Sequence, residues 1–131
     1  MCQAAALALL AGVLAANVYR AATQSFTTDE AYTANLYLDA PFRDVLTLYD
    51  ANNHVLNTLL MRLSAAALGV SEFTLRIPSL LGGAAYLAAA LLLAGRLLGR
   101  GPVFLLAFAA LALNPFVLDH LSDARGYELG L

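Results

Sequence analysis

Residues 77–95 read IPSLLGGAAYLAAALLLAG, nineteen positions without a charged side chain. As a helix, such a run covers about 28 Å at 1.5 Å per residue, close to the ~30 Å hydrocarbon core of a bilayer. Residues 1–19 and 101–118 are two further stretches free of charge. Each is long enough to span, so the expected fold class is all-α: a polytopic transmembrane helical protein forming one membrane-embedded domain. A cleavable signal peptide is the alternative for residues 1–19. No basic residue precedes that apolar run, and further apolar segments follow it, so it is read as an uncleaved first span.

Composition agrees with this reading. Of 131 residues, 61% are hydrophobic and only 12% charged, with mean hydropathy +0.73. Soluble domains carry about a quarter charged residues, and the excess apolar material here suits a chain partly solvated by lipid. The net charge is −2, and all seven basic residues are Arg. They form no cluster that could track a phosphate backbone, which argues against a nucleic-acid partner. Cys2 is the single cysteine, excluding an intrachain disulfide and a cysteine-based metal site. The Ala-, Leu- and Arg-rich, Lys-free composition points to a bacterial plasma membrane.

Residues 20–76 hold four Arg and six acids and are expected mainly outside the hydrocarbon. Within them, residues 54–69 read as an amphipathic helix. His54, Asn57, Thr58, Met61, Arg62 and Ala65 fall on one side, with Val55, Leu56, Leu59, Leu60, Leu63 and Leu68 on the other. Sixteen residues cover about 24 Å, and Arg62 would sit in mid-membrane, so an interfacial helix is expected. Arg96 and Arg100 flank the tight turn between residues 95 and 101 with no acid nearby. The positive-inside rule places that turn in the cytoplasm. Both polar regions, 20–76 and 119–128, then face the extracytoplasmic side, and together they contain all nine acids and both histidines. The chain closes on Gly126–Leu131 without a polar tail, which reads as an interior point of a longer protein.

Four polar constellations could carry chemistry. Thr27 followed by Glu30 is a capping-box pattern that starts a helix. The box employs Glu30 and leaves Asp29 in the first turn, where a carboxylate can accept a proton from a hydroxyl. The bland alternative is that both acids only complement the helix dipole. Asp50-Ala-Asn-Asn-His54 opens the amphipathic helix, and His54 is either a cap or solvated group or, with Asp29 and Glu30, part of a metal or substrate cluster. Arg76 precedes Pro78, which suits a helix's first turn. It is either an interfacial anchor or a bidentate phosphate grip. Asp119-His-Leu-Ser-Asp-Ala-Arg125-Gly-Tyr127 follows the third apolar run, whose end Asn114-Pro115 should bend. Nothing in this last stretch has metal-ligand spacing.

Taken in order, an early span, Thr-Thr-Asp-Glu-Ala-Tyr, an Asn-His segment, Val-Ser-Glu-Phe-x-x-Arg-x-Pro-Ser-Leu-Leu-Gly and Ala-Arg-Gly-Tyr resemble a known group. It is that of the C-type-fold membrane glycosyltransferases, specifically the protein O-mannosyltransferases and lipid A aminoarabinose transferases. The resemblance runs from the first span to Leu131. It implies transfer of a sugar from a polyprenyl-phosphate carrier to a protein, lipid or glycan hydroxyl on the extracytoplasmic face, with inversion. Asp29 would be the catalytic base and Glu30 its support. Arg76 and Arg125 would hold the carrier phosphate, with His54 and Tyr127 completing the substrate contacts. Relatives differ in metal use, so the resemblance leaves a divalent cofactor open. The rivals are a transporter subunit, which needs ionisable residues inside the spans, and a non-catalytic membrane scaffold.

Overall fold

The computed structural model describes residues 1–47, 53–121, 123 and 124; Asp50, Arg125 and Tyr127, expected at the site, lie outside the described residues. Seven helices follow one another: α1 (Cys2–Thr23), α2 (Thr28–Tyr37), α3 (Phe42–Thr47), α4 (Val55–Leu68), α5 (Glu72–Leu98), α6 (Pro102–Ala112) and α7 (Pro115–His120). The described residues contain no strand. Two of the helices, α1 and α5, are long and apolar enough to cross a membrane.

Helices α1, α5 and α6 pack on one another as a stem. Each buries a stripe at helical spacing: Ala6, Val13, Asn17 and Ala21 on α1, Gly83, Leu87, Ala90 and Ala94 on α5, Phe104, Phe108 and Ala112 on α6. Small residues dominate the α1 and α5 stripes and let the helix axes approach, as in membrane bundles. At Gly83 an added Cβ would lie 2.6 Å from Leu121 Cδ2, so the missing side chain is what seats Leu121 on α5. The leucines point away: Leu7, Leu81, Leu92, Leu93, Leu97 and Leu106 are all exposed. Exposed leucines in this number suit the lipid-facing side of a helical bundle.

Direction follows from two arginines. Arg100 Nη1 donates to Gln3 Oε1 at 2.9 Å, and Arg20 Nη1 donates to the Leu118 carbonyl at 2.6 Å. The start of α1 therefore lies beside the α5–α6 turn, and its end lies beside α7. Every acidic residue described falls at the Arg20 end, where α2, α3 and α4 form a polar head on the start of α5.

Three element boundaries differ from the sequence reading. Helix α5 starts at Glu72, because Ser71 caps it by accepting from the Thr74 N–H. Pro78 is thus inside the helix rather than in its first turn, and Arg76 is in the second turn rather than at an entry point. The stretch 101–118 is not one helix. Pro115 has no N–H to offer the Leu111 carbonyl, so α6 ends at Ala112, after about 16 Å, and α7 restarts at Pro115. Helix α1 continues four residues past the expected Tyr19.

Helix α4 matches the expected 54–69 within a residue at each end, and Gly69 closes it at φ 84°, a backbone conformation that favours glycine. Its buried residues are Asn57, Thr58 and Met61, while Leu56, Leu63 and Leu68 are exposed. The polar side faces protein and the apolar side faces out, the reverse of a helix on a water-soluble core.

Candidate functional site at the polar end

The site is built where α1 ends. The chain turns at Gln24–Phe26 and restarts as α2 with Thr27 as N-cap. Thr27 Oγ1 accepts from the Glu30 N–H at 3.3 Å, and Glu30 Oε2 accepts from the Thr27 N–H at 2.8 Å. This is the expected capping box.

Glu30 has a second task that its sequence position does not reveal. It is fully buried and faces the equally buried Arg76, 46 residues on, in a two-point pair. Arg76 Nε donates to Oε1 and Nη2 to Oε2, both at 2.8 Å. The remaining guanidinium hydrogens go to the end of α1: Nη1 to the carbonyls of Ala21 at 3.1 Å and Gln24 at 2.6 Å, Nη2 to that of Ser25 at 3.2 Å. All five N–H donors are therefore spent. The Phe26 ring closes over the guanidinium, 5.1 Å from its centroid, a cation–π contact.

Glu30 Oε1 also accepts from the Ala124 N–H at 2.7 Å. The Ala124 carbonyl in turn accepts from Asn57 Nδ2 at 3.1 Å. Both backbone groups of the residue preceding Arg125 are thus gripped, one by α2 and one by α4. One carboxylate joins four pieces of chain: the α1–α2 turn, α2, α5 and the segment after α7. Burial alone would push the Glu30 carboxyl up. The bonds from Arg76, Ala124 and Thr27 outweigh burial and hold it below its ordinary value of 4.5.

Beside this clip lies a groove of about 520 Å³, lined by Arg20, Thr27, Arg76, Asp119 and Asp123 among others. Arg20 reaches it from the last turn of α1. Its Nη1 is bonded to the Leu118 carbonyl and its Nε to Gln24 Oε1 at 3.4 Å. Asp29 occupies the second position of α2, half-buried, next to Glu30.

Of the residues expected from sequence, Glu30 and Arg76 meet directly and Asp29 adjoins them. His54 is the N-cap residue of α4, half-buried and without a side-chain bond to that helix's own amides. Arg76 was expected either at the membrane surface or on a phosphate. It is turned inward instead, 2% exposed, with no donor left over. Sequence reasoning missed the Glu30–Arg76 pair, the Ala124 grip and the place of Arg20. No local periodicity links positions 46 or 94 residues apart. Among the described residues, no three His, Cys, Asp or Glu side chains gather as a metal site. Comparison with protein-family models, curated proteins and solved structures finds no match.

Proposed function

We propose that the chain belongs to a membrane glycosyltransferase that moves a sugar from a polyprenyl-phosphate carrier to a hydroxyl acceptor at the extracytoplasmic surface. The observation that carries this reading is the convergence at Glu30. The Thr-Asp-Glu helix start, the Arg of the Glu-Phe-x-x-Arg stretch and the backbone just before Arg125 meet at one carboxylate. These are the motifs whose order supports the resemblance, and a catalytic centre needs them together.

The roles adjust to the geometry. Asp29, held in the first turn of α2, is the base that takes the acceptor's proton. Glu30 and Arg76 are positioning residues. The carrier phosphate leaves as an anion, which calls for a cation at the groove, and Arg20 is the residue so placed, with Arg125 the sequence's second candidate. Asp119 and Asp123 are suited to accept hydrogen bonds from sugar hydroxyls. An arginine at the end of α1 runs against the positive-inside rule, and a role at the groove gives it a reason to be there.

The saturation of Arg76 favours a second reading, a non-catalytic membrane scaffold whose ion pair only holds the head together. The two separate in one assay of the protein carrying this chain. In membranes supplied with radiolabelled polyprenyl-phosphate sugar, Asp29→Asn should abolish transfer at unchanged protein level. Undiminished transfer removes Asp29 from the mechanism, and no transfer by wild type from any carrier supports the scaffold.

A further inference from the structure

At the opposite end of the stem, a groove of about 220 Å³ runs between α1 and the α5–α6 turn. Its floor includes Leu7, Leu92 and Phe104, its rim Gln3, Arg96 and Arg100. Leu7 and Leu92 are exposed, 48% and 63%. Arg96 lies in the last turn of α5, and Arg100 follows the positive-φ cap Gly99 (φ 71°). Gln3 Oε1 accepts from Arg100 Nη1 at 2.9 Å, which holds one guanidinium over the mouth. Among the described residues, no acidic side chain lines this groove.

From this geometry we infer that the groove is a binding site for one anionic phospholipid of the cytoplasmic leaflet. Arg96 and Arg100 take the phosphate, and an acyl chain lies on the leucine and phenylalanine floor. Two guanidiniums at one rim match a phosphodiester, which offers two unesterified oxygens. Basic pockets between membrane helices on the cytoplasmic side are suited to anionic headgroups. The occupant is a lipid rather than free phosphate because the charged rim opens on an apolar floor. The inference rests on the membrane-spanning part of the proposed function and not on the chemistry at Asp29.

The test uses the protein carrying the full chain, purified in detergent with limited delipidation, with retained lipid counted by mass spectrometry. Phosphatidylglycerol should be retained over phosphatidylcholine. Arg96→Gln and Arg100→Gln should each cut that preference by about fivefold, while Arg96→Lys keeps most of it. Added inorganic phosphate should not displace the lipid. Equal retention of the two lipids, an unaltered preference in the double glutamine variant, or displacement by inorganic phosphate would each overturn the site. Carbonate extraction of the source membranes separates the two failures. Protein that stays in the pellet without a lipid preference refutes the site alone, and protein that washes out refutes the membrane reading together with the site.

Discussion

The stem and the head bury different things. Between α1, α5 and α6 the interior is mostly alanine, glycine, valine, leucine and phenylalanine, with Asn17 donating to the Val13 carbonyl of its own helix, and the apolar cluster runs from Ala6 to Leu121. In the head the buried residues include Glu30, Arg76, Asn57 and Thr58, and the apolar cluster shrinks to Met61, Leu75 and Ala124 with their neighbours. The stem is specified by shape, through how closely helices approach. The head is specified by bonding, through which donor meets which acceptor. A substitution should therefore hurt the two regions for different reasons.

The largest effect should be on chemistry. Asp29→Asn removes the base and should lower sugar transfer by about 10²- to 10⁴-fold, while the loss of a first-turn acid should cost only about 0.3–1 kcal/mol of stability. A much larger loss of stability would move Asp29 into the structural set. Next come the two cores. Arg76→Met leaves Glu30 as a buried charge without its partner and should cost about 3–5 kcal/mol. Glu30→Met with Arg76→Met together should recover only part of it, because the Thr27 and Ala124 N–H groups then lose their acceptor. Phe108→Ala opens a cavity in the stem at a cost of about 3–5 kcal/mol, and no charge change elsewhere should rescue it. Denaturation of each variant in one detergent gives both numbers. Rescue of the stem variant by a head substitution would erase the distinction between the regions.

Acid should also tell the regions apart. Glu30 sits below its ordinary 4.5 in the folded protein, so its contribution is complete above that pH and is lost as pH falls through the lower folded value. The gap in unfolding midpoint between wild type and Glu30→Gln should stay constant from neutral pH down to about 5 and then close. Phe108→Ala should show no such closure. The smallest effect concerns the joint: Gly69→Ala at φ 84° should cost about 1–3 kcal/mol through strain at the α4–α5 turn.

Much of the stem could be read from sequence. Uncharged runs of spanning length mark α1 and α5, and the Thr27–Glu30 spacing marks the start of α2. Amphipathic periodicity also gave α4 its limits. It did not say which side faces in, because a stripe defines a plane and not the identity of the solvent. The polar side turns inward, and only the burial of Asn57 and Thr58 reveals this. The start of α5 was misread because Pro78 looked like a first-turn residue, while the Ser71 cap seven residues earlier carries the local signal. The break at Leu113–Asn114 was half legible: Asn-Pro announces a bend, and the missing N–H turns that bend into a stop. The Glu30–Arg76 pair was not legible at all. Each residue had a sufficient local explanation, as a capping-box acid and an interfacial arginine, so nothing in either neighbourhood asked for a distant partner.

The central claim is that the stem crosses a bilayer between two polar ends, with the Glu30–Arg76 head on one side and the Arg96–Arg100 turn on the other. With Cys2 replaced by Ser, single cysteines at Ser25 and Gly101 can be probed in intact cells with a membrane-impermeant maleimide. The account predicts that Ser25→Cys labels from outside and that Gly101→Cys labels only after the membrane is opened. Labelling of both positions from the same side would contradict it.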